Sequence, residues 1–244
     1  MGCVRDTDRR SQEEFLLCGN ERLLGFSNCT AEEADMIVRK YCSSPLVPNA
    51  LFQIVCQKLG INTKEIPACK MIPDYYKGVK GKNGLSKIRL LVLAIMLAEG
   101  TTWAKLDLLF EAADLKGDEQ ASSDRLANVF VEMLDVATDL TRKLVSQHQI
   151  TQVPSILAYF KLLSEGRSNA QQYLQARLLK KNMLIEKSKF MARVRRAGID
   201  NIAECSGLRA LVLRLPTYQP RIRTSTVTAL EAVSEEQAAD SEVE

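Results

Sequence analysis

An all-α protein is what this sequence predicts, and three observations predict it. Apolar residues recur at three- and four-residue steps over most of the chain, most fully at Leu126, Val129, Phe130, Met133, Leu134, Ala137, Leu140 and Leu144, which is the spacing of one helical face. Ser11 with Glu14 and Thr30 with Glu33 are start signals, in which the hydroxyl accepts from an early amide and the glutamate reaches back. No stretch of any length alternates apolar and polar residues as a half-buried strand does, so no sheet is expected.

Taken in order, the chain opens Met-Gly-Cys-Val-Arg-Asp-Thr. Gly2 is a candidate for myristoylation once Met1 is removed, and Cys3 for palmitoylation. Two acyl chains anchor a protein at a membrane, where one binds only marginally. The motif asks for Ser or Thr at the sixth position and finds Asp6, so an ordinary start that happens to read Gly-Cys is the other reading. Ala34, Ile37, Val38 and Tyr41 share a helical face over residues 30–42. Pro45 and Pro48 stop that helix, and Pro48 can open the next. Leu51, Ile54, Val55 and Leu59 make the next stripe, which Gly60 ends.

Pro67 and Pro73 interrupt residues 65–76, where Ile66, Met71, Ile72, Tyr75 and Tyr76 suggest a short helical piece. Residues 77–84 lack the spacing of a phosphate-binding loop and read as a solvated connector. An apolar helix over 85–98 follows, buried on nearly all sides. Its apolar run is too short for a bilayer, which takes about 20 such residues. Gly100 ends it, Thr101 or Thr102 caps the next helix, and Trp103, Leu106, Phe110 and Ala113 form that helix's stripe. Ile156, Leu157, Tyr159, Phe160 and Leu163 mark a helix over 151–164 that Gly166 breaks.

Residues 169–196 read as one long basic C-terminal helix. Ala176, Leu179, Met183, Phe190 and Val194 are its apolar stripe, and Arg177, Lys180, Lys181, Lys187, Lys189, Arg193, Arg195 and Arg196 its basic surface. A short helix over 205–215 closes at Pro216. From residue 224 acids dominate and large apolar residues thin out, so a disordered acidic tail is expected.

Composition narrows the function. The chain's 244 residues suffice for one large domain or two small lobes. A net charge of +3 gives no global argument for nucleic acid, and the basic stretch interleaves only Tyr173 and Phe190, so no nucleic acid is expected. The seven cysteines are scattered, no C-x-x-C pair occurs and His148 is the one histidine, so no metal is expected. The first residues lack the apolar core of a signal peptide, and reduced thiols in the cytoplasm are expected. Without a nucleophile motif or nucleotide signature, neither enzyme activity, a cofactor nor a small-molecule substrate is expected.

Phe110 to Asp114, a polar loop, and Asp124-Arg125-Leu126 ahead of a helix resemble an EF-hand. In that family the entering helix ends Phe-x-x-x-Asp, a 12-residue loop follows, and a leucine comes next; Phe110, Asp114 and Leu126 stand at those places. The neighbourhood is similar to the third hand of the calmodulin, calcineurin B and neuronal calcium sensor group. The resemblance implies about four helix–loop–helix units, at 30–59, 65–98, 102–145 and 150–196, and a groove for an amphipathic partner helix.

The loop itself is degenerate. Calcium takes oxygens from the first, third, fifth, seventh and ninth positions and a bidentate glutamate at the last, with glycine at the sixth. Asp114 and Asp118 suit the first and fifth, Gln120 offers a carbonyl at the seventh, and Ser122 stands at the ninth. Lys116 and Arg125 put cations at the third and last, and Glu119 replaces the glycine. Residues 43–46 are too few for a loop, and 165–169 offers one acid, Glu165. No hand is therefore expected to bind calcium.

The expected organisation is an N-terminal segment (1–26), an EF-hand-like lobe (27–84), a degenerate central region (85–166), a basic helical region (167–223) and the tail (224–244). The expected function is a non-enzymatic EF-hand-like adaptor at a cytosolic membrane face, engaging a partner helix without calcium. Its groove would be fixed open, fixed closed or filled by the protein itself. A genuine calcium sensor and a helical scaffold subunit of a larger complex are the alternatives. The basic surface reads as a solvated face, or as a contact for an anionic membrane surface at about 1 kcal/mol per nearby Lys or Arg; the acidic tail has the sign to mask it.

Overall fold

A computed structural model describes residues 12–63, 67–78, 84–147, 154–179 and 183–215. The two lipidation candidates Gly2 and Cys3, His148, Lys180, Lys181 and the acidic tail lie outside the described residues. The fold is mostly helical. Helix α1 (Gln12–Arg22) precedes a first helix–loop–helix pair, α2 (Ala31–Tyr41) and α3 (Asn49–Lys58). Helices α4 (Pro67–Gly78) and α5 (Lys87–Leu97) follow. Helices α6 (Thr102–Ala113) and α7 (Ser123–Leu134) flank strand β1 (Gln120–Ser122). Past a wide π turn at Asp135–Leu140, α8 (Thr141–Gln147) continues the line of α7. Helix α9 (Pro154–Leu178), strand β2 (Leu184–Glu186) and α10 (Lys187–Ala197) make the last pair, and α11 (Cys205–Arg214) follows.

Local chemistry explains most of the starts. Thr30 forms a full capping box: its hydroxyl accepts from the Glu33 amide and its own amide donates to the Glu33 carboxylate at 3.0 Å. Ser86, Thr101 and Ser122 accept from the amide three residues on and cap α5, α6 and α7. Gly60 ends α3 in the left-handed conformation, φ +72°.

Tertiary packing assembles these pieces around α5. Its residues Leu90, Leu91, Val92, Leu93, Ala94, Ile95 and Met96 are all buried, as its unbroken apolar run leads one to expect. It packs on α2, α6 and α7 and so joins the N-terminal and C-terminal halves. The loops within each half meet edge to edge. In the N-terminal half Leu46 bridges Ser86; in the C-terminal half β1 and β2 pair antiparallel, with Ala121 opposite Ile185.

Four expectations are corrected. Residues 169–196 are not one helix: α9 stops at Leu178 and β2 intervenes before α10. Burial of Ile185 against Ala121 replaces a turn of helix there. A sheet does exist, but its strands are three residues each, too short to show a period in the sequence. Gly166 sits inside α9 and does not break it. A β-carbon at that position would lie 2.5 Å from the Val212 carbonyl oxygen, so glycine is what lets α11 cross closely. That packing outweighs the roughly 1 kcal/mol a helical glycine costs. It follows that residues 165–169 are helix and form no loop. Finally, α3 buries Val55 and Leu59 of its expected stripe, but Ile54 is exposed and Phe52 and Cys56 are buried instead.

Candidate functional site

The loop between α6 and α7 is built on Asp114. This residue caps the end of α6, and its carboxylate turns back into the loop. Its Oδ1 accepts from the amides of Lys116 at 3.1 Å and Gly117 at 2.9 Å, and its Oδ2 from the amide of Glu119 at 2.8 Å. Desolvation pushes this carboxyl up, but the amides of Gly117, Lys116, Glu119 and Asp118 outweigh it and hold the pKa below the usual carboxylate value. Gly117 and Glu119 are left-handed, at φ +70° and +58°, and Glu119 is the one non-glycine residue in that region among the described residues. Lys116, Asp118, Gln120 and Arg125 are exposed, and Ser122 is used to cap α7.

The loop therefore turns twice through left-handed backbone, runs three residues as β1 and enters α7. Its first carboxylate is engaged by backbone N–H groups, and cations stand at the third and last positions. Among the described residues no three His, Cys, Asp or Glu side chains gather closely enough to hold a metal ion.

The β1–β2 register locates the second loop, which sequence reasoning missed. Ala121 is the eighth residue counted from Asp114, and it faces Ile185. Counting back from Ile185 places the same first position at Leu178 and the last at Lys189, with Glu186 at the ninth. A search for acids could not find such a loop. The signal was Ile185 just ahead of the Phe190 and Val194 stripe, an isolated β-branched residue before a helix.

The basic residues divide by environment. Lys187 donates to Asp107 and Glu111 of α6, at 2.7 and 2.8 Å, and ties α10 to α6. Desolvation lowers its pKa, but these two carboxylates raise it overall. Lys189 pairs with Glu186 on the surface. The Arg195 guanidinium lies over the half-buried Trp103 ring, 5.1 Å from its centre. Arg177, Arg193 and Arg196 come together at one hollow between α9 and α10.

The apolar face shared by the C-terminal helices is not open. The chain returns over it as residues 199–214, with Ile199, Ile202, Ala203, Leu208, Leu211 and Val212 all buried. The turn at Asp200–Ala203 packs on α6, and α11 packs on α9 and the π turn. One side chain secures this segment. Arg209 is wholly buried, and its Nε sits 3.0 Å from both carboxylate oxygens of Glu14. Its Nη1 donates to Glu21 at 2.5 Å and to the Ala137 carbonyl at 3.0 Å, within the π turn.

Tyr159 also donates to Glu14, and Thr141 to Glu21. Desolvation raises the Glu14 pKa, but Arg209, Tyr159 and Cys18 outweigh it and lower it overall. The sequence held a hint of this cluster: Glu14 and Glu21 are seven residues apart, on one helical face with the buried Leu17, and a single arginine interrupts the apolar run of α11.

Compared with known protein families, curated proteins and solved structures, the chain matches none.

Proposed function

We propose that this chain is a non-enzymatic, EF-hand-like adaptor that binds an amphipathic helix without calcium. The observation that supports the reading is a helix of the chain itself, α11, which packs on α9 and the π turn with Leu208, Leu211 and Val212 buried, as an amphipathic partner helix would in such a groove. The left-handed Gly117 and Glu119 and the loop pairing through Ala121 and Ile185 support the architecture. Lys116 and Arg125 support calcium independence, because each places positive charge where coordination needs oxygen. Acylation of Gly2 and Cys3 would hold the adaptor at a membrane face, which intact-mass measurement of the native protein tests.

On this reading the protein fills its own groove, and a partner helix must displace α11. Gly166→Ala forces the close α9–α11 crossing apart. The full-length variant should then bind a synthetic peptide of residues 199–215 at one per chain, while the wild type binds it far more weakly. Equal binding by both proteins, or none by either, overturns the groove reading. A second reading, a true calcium sensor, is favoured by Asp114 at the first loop position. Calorimetric titration separates the two: a saturable calcium site at micromolar concentration would support the sensor.

A further inference from the structure

We infer that the crevice between the end of α9 and the second half of α10 is a binding pocket for a phosphate ester, such as an inositol phosphate or the same group on a lipid. This stands independently of the helix-groove reading. The hollow has a volume of about 320 Å³ and is lined by Ala176, Arg177, Leu179, Arg193, Arg196 and Ala197. Three arginines are among these lining residues and no acid is. Two come from one face of α10, three residues apart, and the third from the last turn of α9. The reversal of the chain through β2 is what brings them together.

Other described cations in this region are already committed. Lys187 and Lys189 have carboxylate partners, whereas Arg177, Arg193 and Arg196 have no acidic partner among the described residues. Two of the three are held in place by other contacts. The Arg177 guanidinium rests over the Tyr173 ring at 5.7 Å, and Arg193 Nη1 donates to the Leu178 carbonyl at 2.6 Å. The Arg193 bond also caps α9, since a cation at a helix C-terminus is favoured. That role uses one nitrogen of one arginine and leaves the remaining N–H donors of all three. Planar, permanently charged guanidinium forks match the geometry of phosphate oxygens better than ammonium groups do. The small side chains Ala176 and Ala197 leave space for a polyol body beyond the phosphate.

Full-length protein is titrated calorimetrically with a soluble inositol trisphosphate, with inositol as the uncharged control. Separately, it is sedimented with phosphatidylcholine vesicles with and without a phosphatidylinositol bisphosphate. The pocket predicts saturable binding of the trisphosphate at one per chain and none of inositol. The double variant Arg177→Gln/Arg196→Gln should weaken it roughly tenfold or more. Arg142→Gln/Lys143→Gln removes the same charge from exposed positions on α8 and should leave binding unchanged. Binding to both probes identifies a lipid headgroup as the source, and binding to the trisphosphate alone a soluble ester. Saturable binding to neither probe, or equal weakening by both double variants, overturns the pocket.

Discussion

The N-terminal and C-terminal halves join their helix pairs by the same device and cover them by different ones. In the N-terminal half a single bridge, Leu46 to Ser86, connects the loops, and α3 leans on α2 with Ile54 42 % exposed. In the C-terminal half a three-residue strand pair connects the loops, and residues 199–214 lie over the helices. A helix pair has an apolar face that something must cover. The N-terminal half covers much of its own by packing α2 and α5 against the neighbouring half. The C-terminal half uses a separate helix of the same chain and holds it with a buried ion cluster. The C-terminal cover is thus a single helix whose hold rests on one buried side chain, Arg209.

The largest expected effect comes from breaking that hold. Arg209→Ala leaves Glu14 and Glu21 buried without their cation, which costs about 3–5 kcal/mol and should appear as a matching fall in the free energy of unfolding in urea. A loss of less than about 1 kcal/mol would mean that packing alone retains α11.

Acid should weaken the same cluster in part. Glu14 has a lower pKa folded than unfolded. Its contribution is therefore complete above the unfolded value of about 4.3, and is lost as pH falls through that value toward the folded one. Protection factors of the α11 amides, taken relative to the intrinsic exchange rate at each pH, should fall over that window and stay flat above it. In Arg209→Ala the acid-dependent step should shrink.

Gly166→Ala should cost about 1–3 kcal/mol, the usual range for overpacking a close contact. The added carbon meets backbone at Val212, which cannot rotate away as a side chain could. Faster proteolysis at the C-terminal helix, with the N-terminal half still resistant, would sharpen the contrast between the halves. The smallest effect belongs to the N-terminal half: Ile54→Ser should change stability by no more than about 0.5 kcal/mol. A larger loss in thermal or urea unfolding would show that the α3 surface is packed more fully than its exposure indicates.

Much of the fold was legible in the chain. The stripe from Leu126 to Leu144 is buried at every expected position, the Thr30 box forms with both bonds, and the apolar helix at the centre is the core helix. The loop at Asp114 was readable because its ends carry recognisable residues. The loop ahead of α10 was not, because Glu186 is its one acid and only the pairing of Ile185 with Ala121 marks it. Gly166 was misread for a related reason: the residue that fixes its role, Val212, lies 46 positions away in the numbering.

By itself, then, the sequence determined what depends on neighbours within a few turns: where most helices run, which face most of them bury, and where caps begin them. Tertiary structure alone decided where α9 ends, why glycine belongs in its middle, how three arginines come to share one hollow, and which carboxylates hold Arg209. The physical reason is range. Helical periodicity and capping act between residues three or four apart, whereas strand pairing, close helix crossings and buried ion clusters join residues up to 195 positions apart. These take their energies from contacts that exist only once the chain has folded.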